Sequence, residues 1–303
     1  MKEVFISTST FAKYSKEPID LLEREGYKVS LNPTGQKMTT DDIMKYGKDA
    51  VGLIAGTEKL NADVLKALPN LKVISRCGVG LDNVDLNAAE DLNIWVVNTP
   101  DGPTLAVAEL TIGLILSLIR NVVWMDKDIR KGIWKKRMGN LLFNKRVGVI
   151  GCGRIGRKVV ELLKVFNCEI SYSDPYVDCE ILGLKKMDLE ELLKWSDLVT
   201  IHSSGSSVLI NEKQLDLMKK GAWIVSVARG GVVDQRALYE SLRSGYLGGA
   251  ALDVFDEEPY SGMLKHLDNV ILTPHVGSYA KEARVKMEIE SAVNLINKLK
   301  DCL

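Results

Sequence analysis

The chain has 303 residues, and its 40 Lys and Arg side chains balance its 40 Asp and Glu side chains. This zero net charge argues against a nucleic-acid-binding protein, which usually carries a basic excess, and against an acidic disordered chain. The 46% hydrophobic and 26% charged residues are typical of a globular protein, and the length suggests about two domains.

The first hundred residues alternate short apolar runs with helical stretches. This rhythm predicts a parallel sheet with helices on both faces. Asn61 and Asp85 stand where helix N-caps belong. The predicted strands are 4–7, 28–31, 50–54, 72–75 and 94–97, and the predicted helices are 18–25, 40–46, 61–68 and 85–92.

The segment 105–123 is apolar on nearly every side. Glu109 and Arg120 would be costly inside a bilayer. Its clean apolar stretch, 110–119, is shorter than the roughly 20 residues that a membrane span needs. We therefore interpret 105–123 as one buried core helix that also serves a subunit interface, and we expect no membrane contact.

A second alternation begins near Arg146. The predicted strands are 146–150, 169–172, 198–201, 222–227, 249–254 and 270–272, and the predicted helices are 155–166, 189–194, 212–219 and 235–243. A long amphipathic helix, 281–299, would follow, with one apolar face formed by Ile289, Ala292, Val293, Ile296 and Leu299. Two α/β units without a flexible junction suggest two domains around a cleft.

The run RVGVIGCGRIGR places three glycines, Gly151, Gly153 and Gly156, between a strand and a helix. The first permits a tight turn, the second lets a pyrophosphate approach the backbone, and the third lets the helix pack closely. The start of the helix then offers N–H groups to phosphates. Asp174 closes the next strand, where a carboxylate accepts hydrogen bonds from a ribose diol and repels a 2′-phosphate. The pattern predicts a dinucleotide site that prefers NAD to NADP.

Polar side chains follow three later strands of the second unit. They are Arg229, then Asp253 with Glu258, then His275. Because ligands bind beyond the carboxyl ends of parallel strands, these side chains should meet beside the nicotinamide. An imidazole can protonate an alkoxide near neutral pH, a carboxylate would orient the ring and favour its charged form, and an arginine can bind a substrate carboxylate bidentately.

Each of these residues also has a simpler interpretation. Arg229 could be a surface residue, Glu258 a solvated turn acid and His275 a structural histidine. Of the chain's three histidines, His202 is expected to support the adenosine side of the cofactor site or the fold, and His266 to be exposed on a turn. No metal-ligand set is expected.

The cysteines indicate a reducing compartment. The chain has five, an odd number, and they form no C-x-x-C pair. The N-terminal residues MKEVFISTST lack the long apolar core of a signal peptide. We expect a cytoplasmic protein. Cys77, Cys152, Cys168, Cys179 and Cys302 are expected to be thiols, with Cys77 and Cys152 in packing roles.

Six motifs in order resemble the D-isomer-specific 2-hydroxyacid dehydrogenase family, over essentially the whole chain. They are RCGVGLDNVD (76–85), NTPDGPTLAVAEL (98–110), the glycine turn, VARGGVVD (227–234), DVFDEEP (253–259) and TPHVGS (273–278). The resemblance implies a flavodoxin-like substrate domain, 1–98 plus 281–303, and a Rossmann NAD-binding domain, 99–280. It also implies a homodimer formed largely through the 104–120 region.

The resemblance places the family's site residues on this chain. The catalytic set is Arg229, Glu258 and His275. The cofactor-binding set is Gly151, Gly153, Arg154, Ile155, Gly156, Asp174, His202, Ala228 and Asp253. The substrate-binding set is Arg76, Val79, Gly80, Arg229 and His275, with the backbone of Val79 and Gly80 holding the carboxylate of a small anionic 2-hydroxy or 2-oxo acid.

Within the family, the motifs are most similar to the phosphoglycerate dehydrogenase branch, in a short form without the regulatory domain. Two departures stand out. Ala55 lies near the position where that branch has a phosphate-binding arginine, although Lys135, Lys136 and Arg137 could supply positive charge, and Ser204 replaces a common proline in the cofactor motif. The same fold also serves NAD-sensing interaction proteins of the corepressor type, which is the alternative function. Formate dehydrogenase would dispense with the glutamate–histidine pair.

Overall fold

A computed structural model describes residues 1–177, 183–205 and 207–302. Cys179, expected to be a free thiol, lies outside the described residues. The chain forms two compact units, one of Met1–Pro103 with Ser278–Leu303 and one of Thr104–Gly277. We call them unit 1 and unit 2. Their limits lie within a few residues of the domain limits drawn from the sequence.

Unit 1 contains a five-stranded parallel sheet. Its strands are β1 (Glu3–Ile6), β2 (Lys28–Leu31), β3 (Ala50–Ala55), β4 (Val73–Arg76) and β5 (Trp95–Asn98). They run in the order β2-β1-β3-β4-β5, which is the flavodoxin-like order. The strand order changes direction between β1 and β3. Because β1, β3 and β4 are parallel neighbours, the loops after them lie side by side at the carboxyl edge.

Four helices of unit 1 connect these strands. They are α1 (Glu17–Arg24), α2 (Thr40–Tyr46), α3 (Ala62–Lys66) and α4 (Leu86–Asp91). The two predicted N-caps are present, because the side chain of Asn61 accepts the Val64 N–H at 3.1 Å and that of Asp85 accepts the Ala88 N–H at 3.0 Å.

Unit 2 contains a seven-stranded parallel sheet. Its strands are β6 (Arg146–Ile150), β7 (Glu169–Ser173), β8 (Lys185–Lys186), β9 (Leu198–Ile201), β10 (Trp223–Ser226), β11 (Gly249–Leu252) and β12 (Val270–Leu272). The order is β12-β11-β10-β9-β6-β7-β8, with the Rossmann reversal between β6 and β9. The two sheets confirm the predicted α/β, doubly wound fold. The sequence did not predict β8, which has only two lysines.

The helices of unit 2 cover both faces of its sheet. They are α5 (Thr104–Ile119), α6 (Val122–Arg130), α7 (Arg154–Lys164), α8 (Leu189–Trp195), α9 (Glu212–Asp216) and α10 (Gln235–Arg243), with a 3-10 helix at Met263–His266. Helix α5 packs against α7, and Ala108, Leu114, Ile115 and Leu118 lie in the core. Asp234 caps α10, and Gly221 and Gly245 adopt left-handed backbone angles after their helices.

The single helix predicted for 105–123 is wrong. Asn121 adopts a left-handed φ of +58°, which ends α5 and starts α6. An asparagine tolerates this conformation, so the break costs little. Of the described helices, none alone is apolar and long enough to span a membrane; α5 and α6 pass such a test only as a pair, bent by 65°.

The last helix, α11 (Lys281–Cys302), returns to unit 1 and packs on β3, β4 and β5. The predicted apolar face is partly wrong. Val293 is exposed, whereas Arg284 and Glu288 are buried beside Leu295 and Leu299. The buried charges are accommodated because Glu288 accepts hydrogen bonds from Arg284 Nη2 at 3.1 Å and from the Ala12 N–H at 3.0 Å.

Candidate active site

The glycine turn joins β6 to α7 at the point where the strand order of unit 2 reverses. Gly151 has a φ of +86°, and a Cβ there would lie 2.7 Å from the backbone of His202. A Cβ on Gly156 would lie 2.1 Å from the Gly151 oxygen, whereas nothing lies within 4 Å of the Cβ position of Gly153. The first and third glycines therefore allow close packing, and the second leaves open space over the helix start, as a pyrophosphate requires.

Asp174 stands directly after β7 and faces this turn. Its Oδ2 accepts the Cys152 N–H at 2.8 Å, and its Oδ1 accepts the Tyr176 N–H at 2.8 Å. The carboxylate thus ties the glycine turn to the end of β7. A carboxylate oxygen has more than one acceptor site, so this arrangement leaves Asp174 able to accept a ribose hydroxyl.

His202 follows β9 on the other side of the reversal. Its Nε2 lies 2.9 Å from Thr200 Oγ1, and its Nδ1 is buried without a protein partner. Burial lowers the pKa of His202 to about 3, so the ring is neutral near physiological pH. The unpartnered nitrogen beside the glycine turn, together with Gly153 and Asp174, fits a dinucleotide whose polar groups would complete these contacts.

His275 and Glu258 meet beyond the carboxyl ends of β11 and β12. His275 Nδ1 lies 2.9 Å from Glu258 Oε2 and 3.1 Å from Oε1. Glu258 Oε1 also accepts the Phe255 N–H at 3.2 Å, which fixes the carboxylate relative to its own loop. Both side chains are partly exposed, with relative exposures of 51% for His275 and 39% for Glu258. The ring is therefore held by one nitrogen and accessible to solvent.

Arg229 lies on the neighbouring loop, after β10. Its Nη1 donates to the Ala228 oxygen at 2.8 Å, and Ala228 itself is buried. The sheet order β12-β11-β10 brings the loops that carry His275, Glu258 and Arg229 to adjacent positions on one edge. The predicted convergence of an arginine, a carboxylate and an imidazole is thus supported by the order of the strands.

Asp253, placed by resemblance in the cofactor site, is almost fully buried. Its Oδ1 accepts hydrogen bonds from Thr273 Oγ1 at 2.6 Å and the Val276 N–H at 2.9 Å, and its Oδ2 accepts the Gly277 N–H at 2.8 Å. All three partners flank His275. A cofactor contact of Asp253 stays a prediction, and its observed partners are the backbone and side chain of the histidine turn.

Two further residues of the predicted cofactor set lie at the start of α7. Arg154 is exposed in the first turn, and Ile155 packs against the core between the sheet and α5. The basic run 135–137 is mostly solvated, because Lys135 and Lys136 are exposed. Arg137 pairs with Asp128 at 2.8 Å, so the run offers less positive charge to a ligand than its sequence suggests.

The predicted substrate residues of unit 1 follow β4. Arg76 ends the strand, and its guanidinium donates to the Cys77 oxygen. The Val79 oxygen accepts Asn98 Nδ2 at 2.7 Å, and the Gly78 N–H donates to Thr99 Oγ1 at 2.7 Å. These bonds hold the 78–80 backbone from the neighbouring β5 loop, and both Val79 and Gly80 remain accessible in part.

Sequence reasoning missed Glu58, in the loop after β3. The residue is 2% exposed, and its Oε1 accepts hydrogen bonds from Ser7 Oγ and from the Gly56 N–H, the latter at 2.8 Å. Asn83 Nδ2 donates to the Glu58 backbone oxygen at 2.7 Å, which ties this loop to the one after β4. An acid three residues after the apolar run AVGLIA was the available signal.

Residues 112–277 match the family model described as D-isomer specific 2-hydroxyacid dehydrogenase, NAD binding domain. The match covers more than half of the chain and most of unit 2. The chain belongs to this family. The resemblance drawn from the six motifs is thereby confirmed, and NAD is the cofactor of the matched domain.

Relatives with two different names support the assignment to the D-2-hydroxyacid dehydrogenases. A D-3-phosphoglycerate dehydrogenase of Archaeoglobus fulgidus is 37% identical over 297 residues, which are 94% of this chain and 56% of the relative. A glyoxylate reductase of Thermofilum pendens is 43% identical over 268 residues, 84% of this chain and 79% of the relative. The chain spans about half the length of the D-3-phosphoglycerate dehydrogenases it matches.

Two solved structures have the same fold. The TT0316 protein of Thermus thermophilus superimposes with a TM-score of 0.91 at 35% identity, covering 99% of this chain and 97% of that one. D-Lactate dehydrogenase from Aquifex aeolicus, complexed with NAD and lactic acid, has a TM-score of 0.84 at 27% identity and covers 99% and 96%. Both are nearly full-length matches, so the two-unit architecture is that of the D-2-hydroxyacid dehydrogenases.

Proposed function

We propose that the protein interconverts a D-2-hydroxy acid and its 2-oxo acid with NAD. The observation that carries this proposal is the contact of His275 Nδ1 with Glu258 Oε2 at 2.9 Å, on the sheet edge that also presents Arg229 and the glycine turn. The relatives reported above are named as dehydrogenases and reductases, which favours an enzyme over the NAD-sensing alternative.

When bound, the nicotinamide cofactor supplies or accepts a hydride. His275 handles the proton that accompanies this transfer. In reduction its Nε2 protonates the alkoxide oxygen, and in oxidation the same nitrogen removes the hydroxyl proton. Glu258 holds Nδ1–H, so the ring keeps one orientation and its positive charge has a partner.

Arg229 anchors the substrate carboxylate. Its planar guanidinium can donate two parallel hydrogen bonds to a carboxylate. In unit 1, the backbone of Val79 and Gly80 and the side chain of Arg76 are proposed as substrate-binding groups. The remaining cofactor contacts are assigned to Gly151, Gly153, Gly156, Asp174 and His202.

We further propose that the substrate carries no phosphate. Ala55 is fully buried at the end of β3 and brings no positive charge to the position where the phosphoglycerate branch has an arginine. The buried carboxylate of Glu58 follows three residues later, on the loop beside the one that carries Val79. A phosphate dianion near a buried carboxylate is disfavoured by Coulomb repulsion. A glyoxylate- or hydroxypyruvate-type acid fits better.

We also propose a homodimer in the cytoplasm. The segment 122–143, which follows the 104–120 region expected to form the interface, exposes a series of large apolar side chains, more than a monomer surface usually carries in one stretch. They are Val122, Ile129, Ile133, Trp134, Met138, Leu141 and Phe143. The described cysteines Cys77, Cys152, Cys168 and Cys302 are free thiols, in keeping with a reducing compartment. Light scattering coupled to size exclusion tests the dimer.

The deciding experiment measures NADH oxidation with a panel of 2-oxo acids, with and without phosphate groups, and repeats it with NADPH. We expect turnover with unphosphorylated 2-oxo acids, chirally pure D-hydroxy acid as product, and a preference for NADH. An enzyme inactive on the whole panel, yet able to bind NADH and a protein partner, would instead support the NAD-sensing function.

A further inference from the structure

We infer that Asp256 and Thr273 are positioning residues, each serving a different member of the catalytic set. Asp256 fixes the turn that carries Arg229, and Thr273, bound to Asp253, fixes the turn that carries His275. The inference rests on the proposed dehydrogenase function. It assigns to the loop after β11, residues 253–258, a role beyond supplying Glu258.

The Arg229 turn lies directly against this loop. A Cβ on Gly230 would approach the Phe255 oxygen to 1.9 Å, so only glycine allows the two backbones to come this close. Gly231 has a φ of +80°, and its N–H donates to Asp256 Oδ1 at 2.6 Å. Asp256 is therefore the side chain that holds the turn immediately after Arg229.

The His275 turn is held in a different way. His275 adopts a left-handed φ of +53°, which is uncommon for a residue other than glycine and is constrained here by its surroundings. Asp253 supplies that constraint by accepting the Thr273 hydroxyl and the N–H groups of Val276 and Gly277. The Thr273 hydroxyl is the member of this network that precedes the histidine in the chain, and the two N–H groups follow it.

The two turns serve different parts of the reaction. Arg229 binds the substrate carboxylate, which is present both before and in the transition state, so a displaced Arg229 chiefly weakens substrate binding. His275 transfers the proton, so a displaced His275 chiefly slows turnover and alters its pH dependence. Removing Asp256 and removing Thr273 should therefore have separable kinetic effects.

The test compares Asp256→Ala and Thr273→Val with the conservative variants Asp256→Asn and Thr273→Ser, which keep an acceptor and a hydroxyl. Glu257→Ala, exposed on the same loop, is the matched control. The measurements are kcat, KM for the preferred unphosphorylated 2-oxo acid, the pH profile of kcat, and the Kd of NADH by fluorescence. Circular dichroism confirms that each variant is folded.

We expect Asp256→Ala to raise KM about fivefold without changing kcat or the pH profile of kcat, and Asp256→Asn to restore KM. Thr273→Val should lower kcat about tenfold and displace its pH profile, with KM and the Kd of NADH unchanged, and Thr273→Ser should restore both. The inference is wrong if Asp256→Ala or Thr273→Val behaves like Glu257→Ala, or if each changes KM and kcat together. An inactive parent enzyme would instead overturn the proposed function, and the inference with it.

Discussion

His275 Nδ1 lies 2.9 Å from Glu258 Oε2, although the two residues are 17 positions apart and follow different strands. Neither loop alone creates this contact. It depends on β11 and β12 being neighbours in the sheet, so that the loops after them end at the same edge. The pair leaves the second ring nitrogen to exchange a proton with a ligand.

Replacing Glu258 with Gln should slow reduction of the preferred 2-oxo acid by about 10- to 100-fold in kcat. The charge-assisted contact with the imidazole is lost, and such bonds contribute about 1.5–3 kcal/mol. Glu258→Asp keeps the charge on a shorter side chain, and its kcat should lie between those of the parent enzyme and the Gln variant. Steady-state kinetics at saturating NADH provide the measurement. A Gln variant with the parent's kcat would contradict the assigned pairing.

Replacing His275 with Gln should remove about 10²- to 10⁴-fold of kcat, the usual contribution of a general acid or base. In the parent enzyme, reduction should decline and oxidation should increase as pH rises, because only the protonated ring donates a proton. His266→Gln is the control, since His266 is exposed on the 3-10 helix. His202 does not contribute to a profile between about pH 5 and 8, because burial holds its pKa near 3.

Replacing Asp174 with Ala should weaken NADH binding and reduce the preference of the enzyme for NADH over NADPH. The variant loses the acceptor for the ribose diol. It also leaves the Cys152 and Tyr176 N–H groups without their carboxylate, and a hydrogen bond to a charged group contributes about 1.5–3 kcal/mol. Fluorescence titrations with both nucleotides give the two Kd values, and Glu161→Ala on the exposed side of α7 is the control. An unchanged ratio of the two Kd values would argue against the ribose role.

Replacing Glu58 with Gln should raise kcat/KM for a phosphate-bearing 2-oxo acid relative to its unphosphorylated analogue by about tenfold. The amide retains an acceptor for Ser7 and Gly56 but removes the negative charge that repels a phosphate. Glu90→Gln, exposed on α4 of the same unit, should leave the ratio unchanged. A parent enzyme that already prefers the phosphorylated acid would refute the proposed substrate class.

The free energy of unfolding should fall as pH rises from about 9 to 11, by about 1–3 kcal/mol. Burial raises the pKa of the Cys77 thiol from 9.0 to about 11, so in this window the unfolded chain loses a proton that the folded chain keeps. This stability is present below pH 9 and is lost as pH rises towards 11. Urea unfolding at both ends of the window measures it. Cys77→Ala should lessen the dependence, and Cys168→Ala should lessen it further, because burial also raises the pKa of that thiol to about 11.

Much of the fold could be predicted because its signals are local. Short apolar runs located the strands of both sheets except β8, and the cap residues Asn61 and Asp85 marked helix starts. The break at Asn121 could not be predicted, since apolar residues continue on both sides of Arg120 and Asn121 and only the left-handed backbone of one residue ends α5. The buried Glu288 was missed because its partners are not evident from the local sequence. Arg284 lies one helical turn earlier, and Ala12 lies in a distant loop.

The sequence named candidate site residues but not the contacts that hold them. Strand ends and motifs pointed to Arg229, Glu258 and His275. The bonds that hold them come from residues whose partners lie on other loops, such as Asp256 with Gly231 and Thr273 with Asp253. A sequence pattern along one loop cannot show which neighbour a short carboxylate will reach.

Unit 2 is one uninterrupted stretch, Thr104–Gly277, whereas unit 1 needs residues from both sides of it. Helix α11 packs on β3, where a Cβ on Gly52 would lie 3.1 Å from Leu295 Cδ2 and from Leu299 Cδ1. During synthesis, the part of that face formed by β3, β4 and β5 lacks its covering helix until α11 emerges. The unit that the ribosome starts first is therefore the one that finishes folding last, after the nucleotide-binding unit is already complete.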